Sequence, residues 1–147
     1  MKYTMELLIN LPREEMVEKF DNPDNLPKWQ PDLKSFELLS GQAGQKGAKS
    51  KIFYQMGKRE IEMVETILVR NLPDEFSATY EAKGVWNSVE NRFLEVGGEK
   101  TKWIVTSEFR FGSFLMKFVA WIFPGAFKKQ SAKFMQQFKE FAEDTNS

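Results

Sequence analysis

The sequence predicts an α+β fold in which a curved seven-stranded antiparallel sheet grips a long C-terminal helix, with one or two short helices after strand 1. Three observations carry that expectation. The first residues alternate in polarity as a half-buried strand does. Between residues 32 and 111 every segment reads as a strand closed by a turn, and beyond residue 126 the aromatic side chains fall on one helical stripe.

Taken in order, KYTMELLIN sets Tyr3, Met5, Leu7 and Ile9 against Lys2, Thr4 and Glu6, the period-two pattern of a strand. Pro12 followed by Arg13-Glu14-Glu15 starts a short helix, because proline fits the first helical position and acids favour the first turn. DNPDNLPKWQP is rich in Asn, Asp and Pro, and reads as a turn or one short helix ending at Trp29. The turns that follow are GQAGQKG (41–47), Met56-Gly57-Lys58, Asn71-Leu72-Pro73-Asp74, Lys83-Gly84 and Gly97-Gly98-Glu99, short enough to make the strands an antiparallel meander. In the closing helix Phe127, Phe134, Met135, Phe138, Phe141 and Ala142 share a face opposite Lys128, Lys129, Gln136, Lys139 and Glu140. A lone curved sheet buries its concave face only if something fills it. The closing helix is the one element long enough, the short helices plug one end, and a cavity is expected between sheet and C-terminal helix.

Turn chemistry fixes two registers. A two-residue turn at Gly57-Lys58 pairs Tyr54 with Ile61, Ile52 with Met63 and Ser50 with Glu65, which puts a carboxylate on the concave face. A three-residue loop at Gly97-Gly98-Glu99 pairs Phe93 with Trp103, Asn91 with Val105, Val89 with Ser107 and Asn87 with Phe109. The convex face then carries Trp86 beside Arg110, a cation–π pair.

Composition excludes several functions. The chain of 147 residues holds no cysteine and no histidine, which removes disulfides, thiol nucleophiles, Cys/His zinc sites and triads with a histidine base. Carboxylates, Lys, Tyr, Ser and Thr remain for chemistry. Cationic and acidic residues balance at 21 each, so there is no net attraction to nucleic acid or anionic lipid, and Lys128, Lys129 and Lys133 read as a solvated helix face. The 14 phenylalanines and four tryptophans exceed what a core of this size requires, which favours a pocket.

The run FGSFLMKFVAWIFPGAF (111–127) carries the single charge Lys117 and is interrupted by Pro124-Gly125. It is shorter than the about 20 apolar residues of a membrane span. With no signal-peptide pattern at the start, a cytoplasmic, soluble protein is expected. Ser113 to Phe123 reads as a helical piece apolar around most of its circumference. Such a piece is either a packed connector or a gate at the pocket mouth formed by Phe114, Phe118, Trp121 and Ile122.

The element order, WQPDLKSFELLSG leading into the first hairpin, VETI in the fourth strand and FPGAFKKQSAKFMQQFKEFAE as the closing helix together resemble the START/polyketide cyclase-dehydrase (SRPBCC) superfamily. The resemblance covers one START-like domain, residues 1–147, and implies the helix-grip fold of the birch-pollen allergen. It also implies a cavity for hydrophobic ligands such as lipids, sterols, quinones, hormones or polyketides, or, in some members, cyclase activity. The superfamily has no invariant active-site motif, so no catalytic residue is carried over.

From parity, the residues expected to touch a ligand are Tyr54, Met63, Glu65, Tyr80, Asn87 and Asn91, together with Phe93, Trp103, Phe109, Phe118 and Trp121. Each has an ordinary structural alternative. Asn87 and Asn91 can satisfy backbone groups, and the aromatics can be plain core. Glu65 is held by a neighbour such as Ser50 or Tyr54, orients a ligand hydroxyl or carbonyl, or acts as a general acid or base. The leading expectation is carriage of an apolar small molecule, with no cofactor, no metal, no nucleic acid and transient contact with a membrane surface. The alternatives are a cyclase or dehydratase using Glu65 with Tyr54 or Tyr80, and a module that grips a protein or membrane surface through residues 113–125.

Overall fold

The computed structural model describes residues 1–112 and 114–145, and for Leu115, Val119, Ala120, Ile122 and Pro124 the backbone alone. Ser113, where the expected helical piece starts, and the side chain of Ile122, part of the expected gate, lie outside the described residues. The elements are β1 (Lys2–Ile9), α1 (Arg13–Asp21), a 3₁₀ turn (Pro23–Asn25), α2 (Leu26–Trp29), β2 (Leu33–Ser40), β3 (Lys49–Met56) and β4 (Arg59–Asn71). They continue with β5 (Glu75–Ala82), β6 (Val85–Val96), β7 (Lys100–Phe111), α3 (Phe114–Ile122) and α4 (Pro124–Glu143). The seven strands form one sheet in the order β1-β7-β6-β5-β4-β3-β2, antiparallel throughout. This is the helix-grip arrangement the sequence predicts.

Both inferred registers hold. Ser50 faces Glu65 and Tyr54 faces Ile61 across β3 and β4. Asn87 faces Phe109 and Phe93 faces Trp103 across β6 and β7. Gly57 and Gly97, each with φ 63°, take the left-handed conformation these turns need. On the convex face the Arg110 guanidinium lies 4.4 Å from the Trp86 ring centroid.

The core lies where α4 and α1 cross the β1–β7–β6 half of the sheet. Phe138 and Phe93 are fully buried, and Trp29, Trp103, Met135 and Ala142 pack with them. Phe20 of α1 is the hub of this cluster. Its ring lies 5.2 Å from Phe93, 5.7 Å from Phe138 and 5.8 Å from Trp103, edge to face in each case. Polar ties lock β1 along α4: the Tyr3 hydroxyl donates to the Phe127 carbonyl at 3.1 Å, Lys139 Nζ to the Leu8 carbonyl at 2.7 Å and Asn10 Nδ2 to Glu143 Oε1 at 2.9 Å. Phe123 is non-helical (φ −121°, ψ 58°), as a residue before proline prefers, and Pro124 opens α4.

Candidate functional site

The site is built on a row of side chains that crosses the concave face. Ser50 on β3 pairs with Glu65 on β4, Glu65 with Tyr80 on β5, Tyr80 with Asn87 on β6, and Asn87 with Phe109 on β7. Directly paired residues share a face, so four neighbouring polar groups point the same way across the sheet. Above the Ser50, Glu65 and Tyr80 end of the row lies a cavity of about 520 Å³. Its floor is Ser50, Ile52, Tyr54, Glu65, Ile67, Phe76 and Tyr80, and its roof is Phe20, Leu26, Trp29 and Gln30 from α1, α2 and the residue that follows. Leu33, Phe36 and Leu38 of the edge strand β2 close one side.

The cavity was expected between the sheet and the C-terminal helix. Its described lining instead comes from the sheet and the α1–α2 segment, without a residue of α4. The reason is volume. Phe138 of α4 stands 5.2 Å from Trp29 and 5.3 Å from Trp103, so aromatic rings occupy the space on that side. The β2–β5 half, where Phe134 of α4 stands beside Tyr54, keeps the open volume of this cavity.

Inside the cavity the electrostatics centre on one carboxyl. Glu65 is 9% exposed, and burial pushes its pKa above the usual carboxylate range, an effect partly offset by a hydrogen bond from the Tyr80 hydroxyl. The same burial, with the Glu65 charge nearby, raises both Tyr54 and Tyr80 far out of the physiological range. The two phenols are therefore fixed donors and cannot act as bases near neutral pH. Tyr54 donates to Gln30 Oε1 at 2.5 Å, and Tyr80 donates to Glu65. That leaves Glu65 as the group in this cluster able to give or take a proton. Trp29 adds an unsatisfied donor: its indole Nε1–H is buried with no hydrogen-bond partner among the described residues. A buried donor left unpaired is costly, so this N–H is available to an acceptor that enters the site.

At the rim, Arg70 grips Asp21 at the end of α1 with two bonds, 2.6 and 2.7 Å. Strand parity alone would turn Arg70 to the convex face. A register shift between Ile67 and Val69 reverses the alternation, pairs Arg70 with Phe76 and brings it to the cavity. Nothing in VETILVRN signals that bulge. The roof residues Phe20, Leu26, Trp29 and Gln30 were also not among the expected contacts. Their signal was the placement of two short helices over one end of the sheet.

Of the residues expected to touch ligand, Tyr54, Glu65 and Tyr80 line the cavity, and the others do not. Met63 sits on the same face of β4, partly buried, two residues from Glu65 toward the turn. Asn87 uses its amide on Ser107 Oγ at 2.9 Å and the Glu108 carbonyl at 3.0 Å. Asn91 donates to the Phe76 carbonyl at 3.2 Å and accepts from Trp103 Nε1 at 3.0 Å. Phe93 and Trp103 are core, and Phe109 packs on Phe127 at 4.8 Å. Phe118 and Trp121, with Phe114, are exposed on α3 and do not form a mouth over this cavity. Among the described residues no cluster of three or more carboxylates is placed to hold a metal ion.

The sequence profile of a family described as polyketide cyclase / dehydrase and lipid transport matches residues 1–143. No curated protein matches the chain at a significant level. Among solved structures, the Zhui aromatase/cyclase from Streptomyces sp. R1128 superposes with a TM-score of 0.81 at 12% identity, covering 100% of this chain and 96% of that one. Norcoclaurine synthase from Thalictrum flavum, in complex with dopamine and hydroxybenzaldehyde, gives 0.75 at 14% identity, over 100% of this chain and 88% of that one. A conserved protein from Geobacillus kaustophilus gives 0.79 at 17% identity, covering 97% and 95%. At these identities the likeness is one of fold.

Proposed function

The chain belongs to the polyketide cyclase/dehydrase and lipid transport family of the SRPBCC group, and from that premise we propose that it binds and carries a hydrophobic small molecule with one oxygen-bearing end. The apolar body lies between Phe20, Leu26, Trp29, Ile52, Ile67 and Phe76. The polar end, a phenol, hydroxyl or carbonyl, meets Glu65 and Tyr80. The observation that carries this reading is the Glu65 carboxyl, its pKa raised by burial, set in the largely apolar wall of a cavity of about 520 Å³. Ligand pockets have this composition, at roughly 300–1,000 Å³, with few polar groups that fix orientation. The phenolic ligands of the norcoclaurine synthase complex are of the size and polarity this cavity suits.

Native mass spectrometry of the purified protein, followed by solvent extraction, tests the reading. The expected result is a reproducible added mass that extracts as an apolar compound. Glu65→Leu should then weaken its retention about tenfold, the worth of one buried hydrogen bond. Wild-type protein that carries no such mass and also takes up no anilinonaphthalene sulfonate would overturn it.

A second reading, a cyclase or dehydratase, is favoured by the same carboxyl, because an acid with a raised pKa is suited to general acid–base work. Here Tyr54 and Tyr80 position and donate, and Glu65 moves the proton. Glu65→Gln separates the two readings. A carrier keeps its ligand with the amide in place, whereas an enzyme converts extracted ligand only with the wild-type side chain.

A further inference from the structure

Whole-chain neutrality hides an uneven distribution of charge. Residues 109–139 hold Arg110, Lys117, Lys128, Lys129, Lys133 and Lys139 and not one of the chain's 21 acidic residues. The remainder is accordingly net acidic, and the corner formed by α3 and the start of α4 is positive. On α3, Phe114, Lys117, Phe118 and Trp121 fall at spacings of three and four, so they share one face. That face is open to solvent: Phe114 is 85% exposed, Trp121 79% and Phe118 47%. Phe123, in the link to α4, is 60% exposed. Lys117, Lys128 and Lys129 are exposed too, without an ion pair to another described residue. Isolated apolar side chains on a surface are ordinary, but here three exposed aromatic residues share one helix face, Phe118 beside Trp121, with Lys117 among them and Lys128 and Lys129 just beyond the link to α4.

We propose that α3 and the first turns of α4 dock this protein on an anionic lipid bilayer. The aromatic face enters the boundary between headgroups and acyl chains, and Lys117, Lys128 and Lys129 meet lipid phosphates and carboxylates. Two features favour a bilayer over a protein partner. Lysine is depleted from the centres of protein interfaces, yet Lys117 stands in the middle of the aromatic face. In a bilayer that place is favourable, because the ammonium group reaches back to the headgroups while its stem lies among the rings. The charges of Lys117, Lys128 and Lys129 also have the sign that anionic lipid attracts. No described helix is long and apolar enough to cross a membrane, so contact is with one leaflet. The docking surface is separate from the cavity and does not depend on what fills it.

The test is sedimentation of the full-length protein with vesicles of phosphatidylcholine alone or with about 30 mol% phosphatidylserine, the anionic lipid of such surfaces. Wild type should pellet with the anionic vesicles, and about 0.5 M salt should weaken the contact by screening. Phe118→Ser with Trp121→Ser, and separately Lys117→Glu with Lys128→Glu and Lys129→Glu, should each lower partitioning about tenfold or more. All five positions are exposed, and thermal unfolding checks that each variant keeps its fold. Wild type that ignores anionic vesicles overturns the proposal, whatever mass spectrometry finds in the cavity. Equal binding to neutral vesicles, or binding that both variants retain, overturns it as well. Self-association abolished by the aromatic variant, without vesicle binding, would assign the surface to a second copy of the chain.

Discussion

Glu65 shows how far a single residue can be read. Its place on the concave face followed from alternation along IEMVETI and from the Gly57 turn, and the strand pairing agrees. Its chemistry needed the third dimension, because only the sheet register brings Tyr80 beside it. The raised pKa makes a stability prediction. An unfolded Glu titrates near about 4.3, and the native group titrates higher. Native protein therefore binds more protons than unfolded protein between those two values, and Glu65 lowers stability as pH rises through that window. Glu65→Gln does not titrate. Urea unfolding of both proteins from acid to neutral pH should show the variant gaining on wild type across the window and level outside it. Each tenfold difference in proton affinity is worth about 1.4 kcal/mol of that gain. Parallel stability curves would show that the carboxyl is not held in a low-dielectric site.

At the scale of elements, the sequence was most legible where periodicity and turn chemistry agreed. The α4 stripe is an example: Met135, Phe138 and Ala142 are buried as their spacing required, and Lys128, Lys129, Gln136 and Glu140 face out. What it could not show is which side of the sheet α4 would fill, because that depends on ring packing between elements far apart in sequence. Phe138 decides it by wedging between Trp29 of α2 and Trp103 of β7. The bulge that turns Arg70 inward was invisible for the same reason, and the exposure of the α3 aromatics was legible only as one of the alternatives for residues 113–125. Neither has a local residue signature; an apolar helix reads as buried until its neighbours are known. Phe138→Ala should cost about 3–5 kcal/mol in denaturant unfolding, the loss expected for a fully buried phenylalanine. A cost under about 1 kcal/mol would mean that the cluster collapses around the gap and that α4 is not held by this residue.

Across the whole molecule the two ends of the sheet are stabilised differently. Strand β1 is an edge, yet Tyr3, Leu8 and Asn10 tie it to α4 at three levels, and β6 and β7 lie under the aromatic core. Strand β2 is the other edge. Leu39 is 51% exposed, Phe36 and Leu38 43% each, and the cavity rather than packed side chains lies inside it. Amides open locally where few apolar contacts hold the backbone. Hydrogen exchange should therefore be slowest in β6 and β7, and distinctly faster in β2 and the outer half of β3. An occupant of the cavity supplies the missing contacts, so binding should slow exchange in β2, β3 and the α1–α2 roof while leaving β6 and β7 unchanged. Anilinonaphthalene sulfonate serves as the probe if no natural ligand is extracted. Protection that rose instead in β7 and α3 would move the binding site to the other end of the sheet, under the exposed aromatic helix. Uniform protection across all seven strands would mean that the sheet opens as one cooperative unit, and that the cavity leaves no weak half for a ligand to strengthen.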